Sequence, residues 1–114
     1  MNRDQVLEKV RALLPNFAAR ADEAEQGRRL PAQSAKEMLD AGIARILMPA
    51  RFGGYDLDLE TWNQVVLETS RADASHGWCA ALLVHHPHLV AQFSEECQQA
   101  VWAEGPDVPI AASS

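Results

Sequence analysis

Residues 71–90, RADASHGWCAALLVHHPHLV, decide the fold. From Trp78 to Val84 every residue is apolar, so no polar face is left for water. A helix of that composition is expected to lie between other helices, as the central element of a bundle. Ser75 is placed to cap its first turn by accepting an amide hydrogen. Pro87 sits where the helix would otherwise run on, and its missing amide predicts a bend and a freed backbone carbonyl nearby.

Towards the N-terminus, Leu59, Trp62, Val65, Val66 and Thr69 fall along one helical face. They predict a fourth helix that starts near Asp56 or Asp58, either able to cap it, and ends near Arg71. Ahead of it, Phe52-Gly53-Gly54-Tyr55 reads as a turn in which both glycines can take positive φ. The glycine pair is no phosphate loop, because no Lys-Ser/Thr follows and no strand-glycine-helix context surrounds it. Ile43 to Met48, bounded by Pro49, predicts an extended, buried connector. Pro31 suits the first position of a short third helix with Met38 and Leu39 inward and Gly42 past its end. Asp4 to Arg29 is rich in strong helix formers with a stripe of Val6, Val10, Leu13 and Leu14. Pro15 is expected to break or kink it into two tandem helices, the stripe resuming at Phe17, Ala18 and Ala21.

Towards the C-terminus, Ser94 caps a short helix with Glu95 and Glu96 in its first turn; Trp102 closes it and Gly105-Pro106 stops it. Trp62 and Trp102 are expected in the core. The last residues, Val108-Pro109-Ile110-Ala111-Ala112-Ser113-Ser114, read as the start of a strand with nothing to pair with, so the natural protein is expected to continue. The expected fold class is all-α, a helical bundle over residues 1–106, with the start of a truncated β domain at 107–114.

A length of 114 residues with 47% hydrophobic and 23% charged side chains suits one globular domain. The net charge is −6, and every basic residue lies at or before Arg71. Without a basic stripe in its second half the chain is not expected to bind nucleic acid. No apolar run approaches the roughly 20 residues that span a bilayer, and Met1 to Gln5 carries no signal core, so a cytoplasmic chain without a membrane partner is expected. Cys79 and Cys97 lack metal or redox spacing and read as reduced, half-buried thiols. His76, His85, His86 and His88 raise the question of a metal. Neighbouring histidines on a helix point about 100° apart and no carboxylate lies within the cluster, so no metal is expected and two or three of the four read as polar surface.

The order of these elements resembles the N-terminal helical domain of acyl-CoA dehydrogenases. The residues that carry it are Pro49, Gly53-Gly54 and Arg71-x-Asp73-x-Ser75. Within that superfamily the chain is more similar to the oxygenase component of two-component flavin monooxygenases, 4-hydroxyphenylacetate 3-monooxygenase-like enzymes that hydroxylate phenols. The carriers there are Ser75-His76-Gly77-Trp78, the His86-Pro87 pair and Gln99-Ala100-Val101-Trp102. The resemblance implies that His86 is catalytic beside the phenolic substrate and that Trp78 lines the substrate pocket. It also implies that Ser113, or its neighbour Ser114, lies close to a flavin. That flavin, reduced FMN or FAD, would come from a separate flavin reductase and be bound mainly by parts outside this chain. The full-length protein would be a homotetramer, the isolated chain inactive. A neutral imidazole near neutral pH can take a phenolic proton and so make the ring a better nucleophile. Two other readings stand: an acyl-CoA dehydrogenase oxidising an acyl thioester with FAD, and a non-catalytic helical interaction domain.

Overall fold

Asn2 starts the first helix. Its side chain accepts from the Gln5 amide at 2.9 Å while Gln5 Oε1 accepts from the Asn2 amide at 2.9 Å, a reciprocal capping box. The computed structural model describes residues 1–110 and builds six α-helices: α1 (Arg3–Ala19), α2 (Ala21–Gly27), α3 (Ala32–Asp40), α4 (Leu59–Ala72), α5 (Ala74–Val90) and α6 (Glu95–Val101). The all-α expectation holds: among the described residues there is no strand, 107–110 included.

Pro15 does not break α1. The helix runs through it, with Val6, Leu7, Val10 and Phe17 buried on one continuous face. Pro15 itself is exposed, so a carbonyl left without its amide can be met by water. The break comes later, at Arg20, where φ −100° and ψ 8° depart from the helix.

The Ile43–Met48 connector is buried as expected but is not extended. Ile43–Arg45 forms a 3-10 turn, and a second one spans Ala50–Phe52. Its carbonyls are met by the chain that folds back beside it. Tyr55 N donates to Arg45 O at 2.8 Å, Leu57 N to Ile46 O at 2.8 Å and Asp56 N to Met48 O at 3.1 Å. The two glycines of the turn serve different needs. Gly53 takes φ +95°, whereas at Gly54 a Cβ would lie 2.0 Å from the Met48 carbonyl oxygen, so the requirement there is space.

Asp58 caps α4, accepting from the Thr61 amide at 2.9 Å and its hydroxyl at 2.7 Å. The face that α4 buries is Thr61, Val65 and Thr69, an i, i+4, i+8 row; Leu59 is exposed and Trp62 and Val66 are half-buried. Asp73 caps α5, not Ser75: Asp73 Oδ2 accepts from the His76 amide at 3.1 Å. Helices α4 and α5 form the most extensive packing in the molecule. Their approach is set by Gly77, where a Cβ would meet Ser70 Oγ at 2.0 Å and Ser70 Cα at 2.7 Å.

α5 is central but not buried all round. Small or branched residues at three- and four-residue spacing, Gly77, Ala80 and Val84, are buried, while Trp78 is 70% exposed. Close helix approach selects the small face and leaves the bulky one outside. A second cluster of Met48, Val90 and Trp102, with Ile110 against it, seats α6. Trp102 is core, as expected; Trp62 packs partly buried against the main cluster. Asp107 is tied to Arg45 by two hydrogen bonds of 2.9 and 2.6 Å.

Candidate active site on α5

His86 lies one residue before Pro87 and is 8% exposed. α5 does not stop at the proline; it continues to Val90, and this keeps the imidazole on a rigid support. His86 Nδ1 is hydrogen-bonded to the backbone carbonyl oxygen of Ile110. A carbonyl only accepts, so Nδ1 carries the proton and a neutral ring presents a lone pair at Nε2. Nε2 has no hydrogen-bond partner among the described residues. The arrangement is that of an oriented acceptor: one nitrogen held, the other open to a donor.

Its neighbour His85 points elsewhere and stacks on Trp62 of α4, with centroids 5.4 Å apart and planes within 4°. His88 lines a separate groove with Pro49, Asp56 and Asp58. His76 is fully buried, and no histidine of the four is exposed, so the polar-surface expectation fails. His85 and His88 are half-buried, the first against Trp62 and the second against the wall of its groove. Among the described residues, no three His, Cys, Asp or Glu side chains gather as metal ligands.

Trp78 stands over a groove of about 440 Å³ between α2 and α5, lined also by Ala24, Leu30, Ala74, Ser75 and Cys79. Burial, with some repulsion from Asp73, pushes the Cys79 thiol up from its ordinary range, which suits an inert wall residue. His86 does not line this groove. The two residues are eight positions apart, or about 12 Å along a helix axis. The structure therefore places them on one helix without bringing them into one pocket. Ser113 lies outside the described residues.

One polar cluster was not legible in the sequence. His76 Nδ1 is 2.5 Å from Asp73 Oδ2 and Nε2 is 2.8 Å from Ser34 Oγ, with the ring stacked on Phe17 at 4.7 Å. Asp73 three residues before His76 was a readable signal, since that spacing places a cap side chain beside the residue it caps. Ser34 was not readable, being on α3, 42 positions away. The constellation of serine, histidine and carboxylate is no nucleophilic site, because Ser34 and His76 are closed to solvent.

The chain matches the acyl-CoA dehydrogenase N-terminal domain over residues 1–105. It is 32% identical over 108 residues to the oxygenase component of p-hydroxyphenylacetate 3-hydroxylase of Acinetobacter baumannii, covering 95% of this chain and 26% of that one. It is 37% identical over 108 residues to the flavin-dependent monooxygenase oxygenase subunit HsaA of Rhodococcus jostii, covering 94% of this chain and 28% of the relative. The 3-HSA hydroxylase structure from Rhodococcus sp. RHA1 superposes with a TM-score of 0.89 at 34% identity, covering 94% of this chain and 28% of that one. The chain thus spans about a quarter of the length of the curated relatives it matches. No described helix is long and apolar enough to cross a membrane.

Proposed function

This chain belongs to the family of acyl-CoA dehydrogenase N-terminal domains, and from that premise we propose that it is the helical N-terminal part of a flavin-dependent aromatic monooxygenase. The whole protein acts as the oxygenase component, hydroxylating a phenol with O2 and reduced flavin delivered by a separate reductase. It is cytoplasmic and assembles as a homotetramer. The observation that carries the reading is the state of His86, held through Nδ1 by Ile110 with Nε2 open.

The groove beside Trp78 sets the indole beside Ala24, Leu30 and Cys79, a wall suited to a planar ring. Flavin binding belongs mainly to parts outside this chain, with Ser113 as the chain's own contribution. When bound, the reduced flavin with O2 supplies the electrophilic oxygen. His86 accepts the phenolic proton at Nε2 and becomes an imidazolium whose Nδ1–H stays on the Ile110 carbonyl. The phenolate oxygen then donates electron density into the ring, which raises its nucleophilicity at the adjacent carbon. Trp78 contributes an aromatic wall for substrate, with His86 about 12 Å further along α5. A substrate that meets both is extended rather than a single small ring.

The test is an assay of the whole protein with reduced FMN or FAD, O2 and a panel of phenols, run beside acyl thioesters with oxidised FAD and an electron acceptor. Hydroxylated phenol is the expected product. Oxidation of an acyl thioester without phenol hydroxylation would establish the dehydrogenase alternative, and the absence of both activities the non-catalytic one.

A further inference from the structure

Ser34 and His76 are both fully buried, and two polar side chains in that position cost stability unless their hydrogen-bonding atoms are met. The Asp73 carboxylate only accepts, so His76 Nδ1 donates to it across 2.5 Å. Arg20 Nη1 donates to Ser34 Oγ at 3.0 Å, and the same hydroxyl is hydrogen-bonded to His76 Nε2 at 2.8 Å. Both ring nitrogens of His76 are thereby used. Arg20 Nη1 also bonds Glu37 Oε1 at 2.5 Å, and Asn16 Nδ2 donates to the other Glu37 oxygen at 3.1 Å. Stacking on Phe17 fixes the plane of the His76 ring.

The path of this chain of hydrogen bonds gives it a use. One wall of the Trp78 groove, from Ala24 to Leu30, belongs to the segment between Arg20 and Ser34. The other wall, from Ala74 to Cys79, is the start of α5, which Asp73 caps and His76 anchors. Arg20, Ser34, Asp73 and His76 line none of the groove themselves, yet they join its two walls from behind. We propose that these four residues form a cross-tie that sets the width of the groove, making Ser34 and His76 positioning residues for an aromatic substrate held against Trp78. The role in substrate placement rests on the reading of Trp78 given above; the cross-tie itself is a property of the ligand-free chain.

The experiment uses the 114-residue chain labelled with 5-fluorotryptophan, whose fluorine spectrum gives separate lines for Trp62, Trp78 and Trp102. The Trp78 line is assigned through Trp78→Phe. Ser34→Thr and Ser34→Val have the same size and differ in the hydroxyl alone. The expected result is a shifted and broadened Trp78 line in Ser34→Val, a line close to the parent's in Ser34→Thr, and an unmoved Trp102 line in both. A Trp78 line equally placed in the two variants, with a lower melting temperature for Ser34→Val, would make the network plain core structure and overturn the proposal. Should neither variant fold, Arg20→Gln cuts the same chain at its part-exposed end and is read by the same criterion. Adding a phenol of two or more rings, long enough to reach from Trp78 towards His86, to the parent chain is a separate arm. A Trp78 line that ignores it counts against the substrate reading and leaves the cross-tie standing.

Discussion

At Asp73 two effects oppose each other. Burial favours the neutral acid, while hydrogen bonds from the His76 side chain and amide favour the carboxylate, and the second effect wins, holding the group below its ordinary value near 3.8. Glu37 is likewise held below its ordinary 4.5, chiefly by the hydrogen bond from Arg20. A carboxyl with a depressed folded pKa contributes stability that is present above its unfolded value and lost as pH falls through the folded one. Urea unfolding should therefore show a steep loss of stability below about pH 4, flattened in Asp73→Asn, since asparagine keeps a comparable helix cap without the charge. An equal slope in parent and variant would remove Asp73 from the acid response. The His86-Pro87 pair stands out in the sequence because it lies in one stretch with Trp78 and carries the resemblance, and the role given to His86 rests on that resemblance. The burial of His76 was not legible in the sequence, because its second partner comes from another helix.

Helix α5 shows how much an element can hide from its own sequence. Seven consecutive apolar residues announced a buried helix, but composition does not say which of them face inward. The close approach to α4 at Gly77 settles that by turning the small side chains inward and Trp78 outward. Gly77→Ala should consequently cost about 1–3 kcal/mol, the usual range for overpacking, as read by denaturant unfolding. Gly27→Ala is the control: a Cβ there meets nothing within 4 Å, and the change should be neutral or stabilise by up to about 1 kcal/mol. The same limit explains Pro15. The rule that proline ends a helix assumes that the freed carbonyl has no other partner, and on the exposed side of α1 water is available.

For the molecule as a whole, the described surface leaves Trp78 70%, Phe93 56%, Leu67 46% and Leu89 38% exposed. Trp78 and Leu89 stand on α5, Leu67 on α4 and Phe93 just past α5, and together they add apolar area that favours association. The 114-residue chain is therefore expected to bind the dye ANS and to show concentration-dependent size in sedimentation. Trp78→Ser and Phe93→Ser should weaken both while changing stability by no more than about 0.5 kcal/mol. A monomer without dye binding would contradict this. The helical class and the order of the elements could be read from hydrophobic spacing and caps, whereas the groove and the cross-tie arise where segments far apart in sequence meet. Whether His86 takes the phenolic proton is read in the whole protein from the ratio of hydroxylated phenol to reduced flavin consumed in His86→Asn. The hydroxylation rate should fall by about a hundredfold or more, the scale of a lost general base, with flavin oxidation continuing. An unchanged ratio and rate would contradict that role for His86.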